Sequence, residues 1–130
     1  MSNTDTAWYE FRNAIYVQDF ARADEMLRRR PELLHLVNGV GETVLHFLAV
    51  ENDAEGISWL HARGADLNTK NKIGYPVLFE VASLEYKDLF NWFLEQGADI
   101  RATDRDGNDI IFHLLEYGHE NMAEWVRKHF

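Results

Sequence analysis

The chain has 130 residues and a mass of 15.2 kDa, with 46% hydrophobic and 27% charged residues, enough for one globular domain with its own core. It has no cysteine, which excludes a disulfide framework, a thiolate metal site and a cysteine nucleophile. Thirteen Lys and Arg against 22 Asp and Glu leave a formal net charge of −9, the wrong sign for nucleic acid or an acidic membrane and the right one for a basic partner. No apolar run approaches the ~18 residues that would span a bilayer. The polar stretch from Met1 to Tyr9 lacks the layout of a signal peptide, so the expected location is the cytoplasm.

In chain order, residues 1–7 read as a flexible tail. Arg28-Arg29-Arg30 closes a predicted helix just before Pro31, where positive charge suits the helix C-terminus. Thr43 is placed to cap a helix whose buried face is Leu45, Leu48 and Ala49. Its partner buries Ile57 and Leu60 and ends at Gly64. Pro76 opens the next helix, which buries Leu78, Val81 and Ala82. The following helix carries Leu89 and Phe93 and ends at Gly97. Asp109 caps the last first helix, and Met122 and Val126 form the final stripe. No segment reads as a strand of any length, so the expected class is all-α.

The helices recur at a fixed interval. Gly41, Gly74 and Gly107 are spaced by 33 residues, as are Trp59, Trp92 and Trp125, and Gly64-Ala65-Asp66 returns as Gly97-Ala98-Asp99. Three landmarks in one register mark a repeat array. The tryptophans follow the structural period, so they are expected to pack between neighbouring repeats rather than to form a ligand ladder.

A 33-residue unit with Thr43-Val44-Leu45-His46 and the Gly-Ala-Asp box resembles the ankyrin repeat, a β-turn followed by two antiparallel helices. The four-residue box departs from the family pattern in having valine for proline, and it erodes to Pro76-Val77-Leu78-Phe79 and Asp109-Ile110-Ile111-Phe112. The resemblance implies a solenoid divided into a divergent capping repeat at 8–37, repeats at 38–70 and 71–103, and a C-terminal capping repeat at 104–130. It puts Asp19 where the family often has an inter-helix glycine, and it implies structural hydrogen bonds for His46.

Signs of catalysis are missing. No two of the six histidines have the His-x-x-x-His spacing of a helical zinc site with an intervening glutamate. Asp104, Asp106 and Asn108 imitate the start of a calcium loop, but Leu115 stands where the bidentate glutamate belongs. No serine lies in a Gly-x-Ser-x-Gly elbow, and no glycine-rich loop precedes a Gly-Lys-Ser or Gly-Lys-Thr. No enzyme, metal or cofactor is expected.

The resemblance implies a protein-binding concave face made of the turns and the exposed side of each first helix. In this register its candidate residues are Val40, Glu42, Glu51, Lys72, Ile73, Tyr75, Leu84, Arg105, Asp106, Asn108, Glu116 and Tyr117. An apolar and tyrosine-bearing patch with an acidic rim suits a basic protein ligand anchored on Tyr75 and Tyr117. Size, acidity and lack of cysteine resemble those bacterial immunity proteins that use this fold, which implies a cognate toxin such as a basic nuclease as partner. The alternative is a general interaction adaptor. The free protein is expected to be a monomer, with Trp125, Val126 and Phe130 offering a surface for weak self-association.

Overall fold

A computed structural model describes residues 3–130, with side chains from Thr6 onward. The helices come in pairs: α1 (Asn3–Tyr16) with α2 (Phe20–Arg29), α3 (Val44–Val50) with α4 (Ala54–Ala62), α5 (Val77–Ser83) with α6 (Lys87–Glu95), and α7 (Ile110–Glu116) with α8 (Glu120–His129). A 3-10 turn at Pro31–Leu34 follows α2. Among the described residues there is no strand, and one isolated antiparallel bridge joins Lys70 and Pro76. Most of the segment expected as a flexible tail is thus helical, since α1 begins at Asn3; Met1 and Ser2 lie outside the described residues.

Helices of seven to ten residues are marginal in isolation, so local caps and packing must hold them. Thr43 Oγ1 accepts from His46 N, and Asp109 Oδ1 accepts from Phe112 N, as their positions predict. Pro76 is the residue before α5 rather than its first residue, with φ −60°. In each inter-helix turn one residue is left-handed: Gln18 at 63°, Asn52 at 57°, Glu85 at 61° and Gly118 at 81°. The glycine-like position of the first unit is therefore Gln18. Asp19, which the register assigned to it, instead caps α2 by accepting from Arg22 N. The shift is one residue because that unit precedes the next by 34 rather than 33 positions.

Between the pairs run three hairpins with one wiring. Asn38, Asn71 and Asp104 each donate a backbone N–H across the turn, to the carbonyls of Glu42, Tyr75 and Asn108. Their side-chain oxygens accept amides from inside the same turns, at Val40 and Glu42, at Ile73, Gly74 and Tyr75, and at Asp106 and Asn108. This is an Asx-type turn used three times. It also accounts for the calcium-like acidic cluster, because Asp104 already spends an oxygen on its own backbone.

Stacking joins the first helices into a row, with α3 between α1 and α5, and α7 against α5. Leu45, Leu48, Ala49, Leu78, Val81 and Ala82 are all buried there, as the helical periodicity predicts. The periodic tryptophans each reach back to the preceding second helix. Trp59 stacks on Phe20 of α2 at 5.6 Å, Trp92 meets His61 of α4 edge-on at 5.6 Å, and Trp125 meets Phe90 of α6 at 5.8 Å. All three are half-buried. The fully buried tryptophan is Trp8, outside that register. At the far end of the stack Val126 is buried, so of the residues offered for self-association only half-buried Trp125 and exposed Phe130 reach the surface. No helix among the described residues is long and apolar enough to cross a membrane.

Candidate functional site

The 33-residue period sorts the candidate residues into ranks along the stack. Val40, Ile73 and Asp106 stand at the hairpin tips. Glu42, Tyr75 and Asn108 follow each hairpin glycine. Glu51, Leu84 and Tyr117 are the C-caps of α3, α5 and α7. Lys72 and Arg105 precede two of the tips, and Glu116 ends α7. All twelve reach solvent, with Glu42, Tyr75 and Asn108 half-buried. Val40 and Ile73 are 59% and 61% exposed, which makes two of the three tips apolar and wet.

Within this set the structure draws one cluster together. The Tyr75 and Tyr117 hydroxyls are hydrogen-bonded at 2.8 Å, and their rings lie 6.5 Å apart at 82°. His113 packs edge-on to Tyr75 at 4.9 Å and tilted over Tyr117 at 4.8 Å. A concavity opens there, walled by Tyr75, Phe112, His113 and Tyr117 and rimmed by Asp104, Asp106, Asn108 and Glu116. No lysine or arginine lines it. The hydrogen bond to Tyr117 pushes the Tyr75 phenol up to about 12, helped by burial and by the Tyr117, Asp104 and Glu116 charges. Phe112 and His113 were not among the residues expected from the sequence. Phe112 occupies the position of His46 and Phe79, which are buried, yet it is itself exposed.

Lys72 and Arg105 have a structural task. The Lys72 backbone and Cβ lie against Gly41, and the Arg105 Cβ lies against Gly74, so each hairpin seats on the one before it. The Arg105 guanidinium donates to the Lys72 carbonyl. The Arg105 charge is thereby tethered beside the Lys72 backbone. Glu51 and Leu84, the C-caps of α3 and α5, stand apart from the tyrosine cluster.

Glu42 belongs to a different junction. His46, expected to make structural hydrogen bonds, is fully buried, and neither ring nitrogen makes one. Its Nε2 lies 2.9 Å from Glu80 Oε1 and 3.5 Å from Glu42 Oε2. Burial raises the Glu42 carboxyl above its usual value; His46 pulls it down and Glu80 adds to the rise.

The cluster around His113 should make stability depend on pH. Burial lowers the imidazole below its ordinary 6.5, with His119 reinforcing that and Asp104, Glu116 and Glu80 opposing it. As pH falls below 6.5 the unfolded chain takes up a proton that the folded one refuses. Stability is then lost progressively until the folded-state value is passed. The urea midpoint should fall between pH 7.5 and 5, and His113→Phe should flatten that part of the fall. An unchanged slope in the variant would assign the effect to other groups.

A family model for the ankyrin repeat matches residues 40–72, the hairpin tip, α3, α4 and the start of the next hairpin. No curated protein matches the chain. The matched unit is followed by helix pairs and hairpins of the same wiring at intervals of 33 residues. Ankyrin repeats are in general non-catalytic modules that bind other proteins. Residues 40–72 thus form an ankyrin repeat within a chain that is all-helical among the described residues, an architecture that supports a protein–protein interaction module.

Proposed function

We propose that the protein, a monomer when free, binds a basic segment of a partner protein on the concave face formed by its hairpins and first helices. The Tyr75–Tyr117 pair and its carboxylate rim carry this reading. Tyrosines held by a mutual hydrogen bond and by His113 present rigid rings at little cost in side-chain entropy. The adjacent carboxylates suit a lysine or arginine laid across those rings. Val40, Ile73 and Leu84 supply apolar contact on the same face, Glu42, Glu51, Asp106 and Glu116 extend the acidic rim, and Asn108 lends a polar contact. Lys72 and Arg105 set the register by repelling cations at two points.

The narrower role is that of an immunity protein that neutralises a cognate toxin. Net charge −9 in a chain of 130 residues supports it, since a basic, nucleic-acid-binding toxin surface is the complement of such a field. The alternative is an adaptor that binds without inhibiting. Affinity capture from the native lysate, run side by side with the Tyr75→Ala/Tyr117→Ala double variant, tests the binding face. The wild type should retain a basic protein, the variant should lose at least about tenfold in affinity, about 1.4 kcal/mol, and both should give the same helical CD spectrum. A partner held equally well by the variant would refute the tyrosine anchor. Assaying the captured protein free and bound then separates immunity from recruitment.

A further inference from the structure

We propose that Glu42, His46 and Glu80 form a binding site for a zinc-class divalent cation that bridges the second and third repeats. The three residues come from two hairpin–helix units. Glu42 ends one hairpin, His46 lies one helical turn further along in α3, and Glu80 projects from α5 of the next unit. Their donor atoms, one imidazole nitrogen and two carboxylate oxygens, all lie within 4.8 Å of one another. Nε2 is 2.9 Å from Glu80 Oε1 and 3.5 Å from Glu42 Oε2. Donors about 2.0–2.1 Å from a tetrahedral zinc are about 3.3 Å apart, so the two distances bracket what a shared ion requires.

His46 supplies the independent sign of a ligand. It is 0% exposed, yet neither ring nitrogen has a hydrogen-bond partner. The Glu80 oxygen, 2.9 Å from Nε2, makes an ion-pair contact with it but no hydrogen bond. A buried imidazole without a hydrogen bond, beside two carboxylates, is costly as it stands. A cation between the three donors would satisfy all of them at once.

The neighbouring junction shows that the fold does not demand this chemistry. One repeat later, the same three positions hold Tyr75, Phe79 and His113, which pack ring against ring at 4.8–4.9 Å. At the polar junction Asn71, itself locked in its hairpin, donates to Glu80 Oε1 at 3.2 Å and so orients that carboxylate. The glutamate side chains are 19% and 26% exposed, which leaves an entry path and room for a fourth ligand on the binding face. One nitrogen and two oxygens suit zinc or cobalt(II) better than magnesium or calcium, which take all-oxygen shells.

The test uses the whole chain freed of metal by chelator and titrated calorimetrically with zinc chloride at pH 7.5. One equivalent should bind and raise the melting temperature, while magnesium chloride does neither. Glu42→Gln and Glu80→Gln are near-isosteric and spare the buried histidine, so they should fold. Each should weaken zinc binding by at least about 10–100-fold, the loss already typical of an outer-sphere partner. Cobalt(II) should give the intense visible bands of a four-coordinate site in the wild type and lose them in Glu80→Gln. Absence of stoichiometric zinc binding, or binding that both variants leave intact, would overturn the site. The latter result would place the ion on surface histidines and leave His46 as an ion-pair partner only.

Discussion

Trp8→Ala is expected to destabilise the protein by about 3–5 kcal/mol, the usual cost of emptying a buried aromatic site. Trp8 is fully buried, meets Phe47 of α3 edge-on at 5.9 Å and donates its Nε1–H to the Glu42 carbonyl at 3.0 Å. It therefore pins α1 to both the first hairpin and the next unit's first helix. Because a repeat array is held by contacts between neighbours, losing this one should release α1 and α2 before the rest. Urea unfolding followed by CD should show a lower midpoint and a broadened transition. Trp8→Phe keeps most of the ring and should cost only about 1–2 kcal/mol, since the Glu42 carbonyl still accepts from Asn38 N. An alanine variant within 1 kcal/mol of the wild type, on the scale of a typical hydrogen bond, would show that the first unit docks by other means.

Gly41→Ala and Gly107→Ala are expected to differ although their backbones are alike. Both glycines are left-handed, with φ 76° and 82°, and alanine there costs about 1–2 kcal/mol. A methyl on Gly107 meets nothing within 4 Å, whereas one on Gly41 would stand 2.7 Å from Lys72 Cβ and 2.8 Å from Lys72 N. That obstacle is main chain and the Cβ fixed to it, so no rotamer change relieves it, and overpacking adds about 1–3 kcal/mol. Gly41→Ala should be the more damaging by that margin in denaturant titrations. Equal losses would mean that the hairpins do not seat on one another as described.

How far the linear chain could be read varies by element. The helices, caps and buried stripes of α3 through α8 were legible because apolar residues at helical spacing and Thr43 or Asp109 before them are local signals. The binding-face candidates were legible only as positions in a register. Phe112 and His113 were missed because the exposure of one and the ring contacts of the other are set by how α7 docks on α5, not by the local pattern. The misplacement of Asp19 has a similar origin: an interval of 34 instead of 33 shifts the first unit by one residue, and Gln18 takes the left-handed turn without any glycine to announce it.

The period, the helical class and the net charge of −9 follow from the order of residues alone, because each is a property of neighbours along the chain or of a sum over it. Which side chains meet across a junction was settled by stacking. Glu42 and Glu80 are 38 positions apart, and only the docking of α5 on α3 sets both carboxylates against one buried imidazole. The docking of α7 on α5 likewise pairs Tyr75 with Tyr117. A repeat specifies its own fold locally, while its recognition chemistry is made between repeats, where no single unit's sequence reaches.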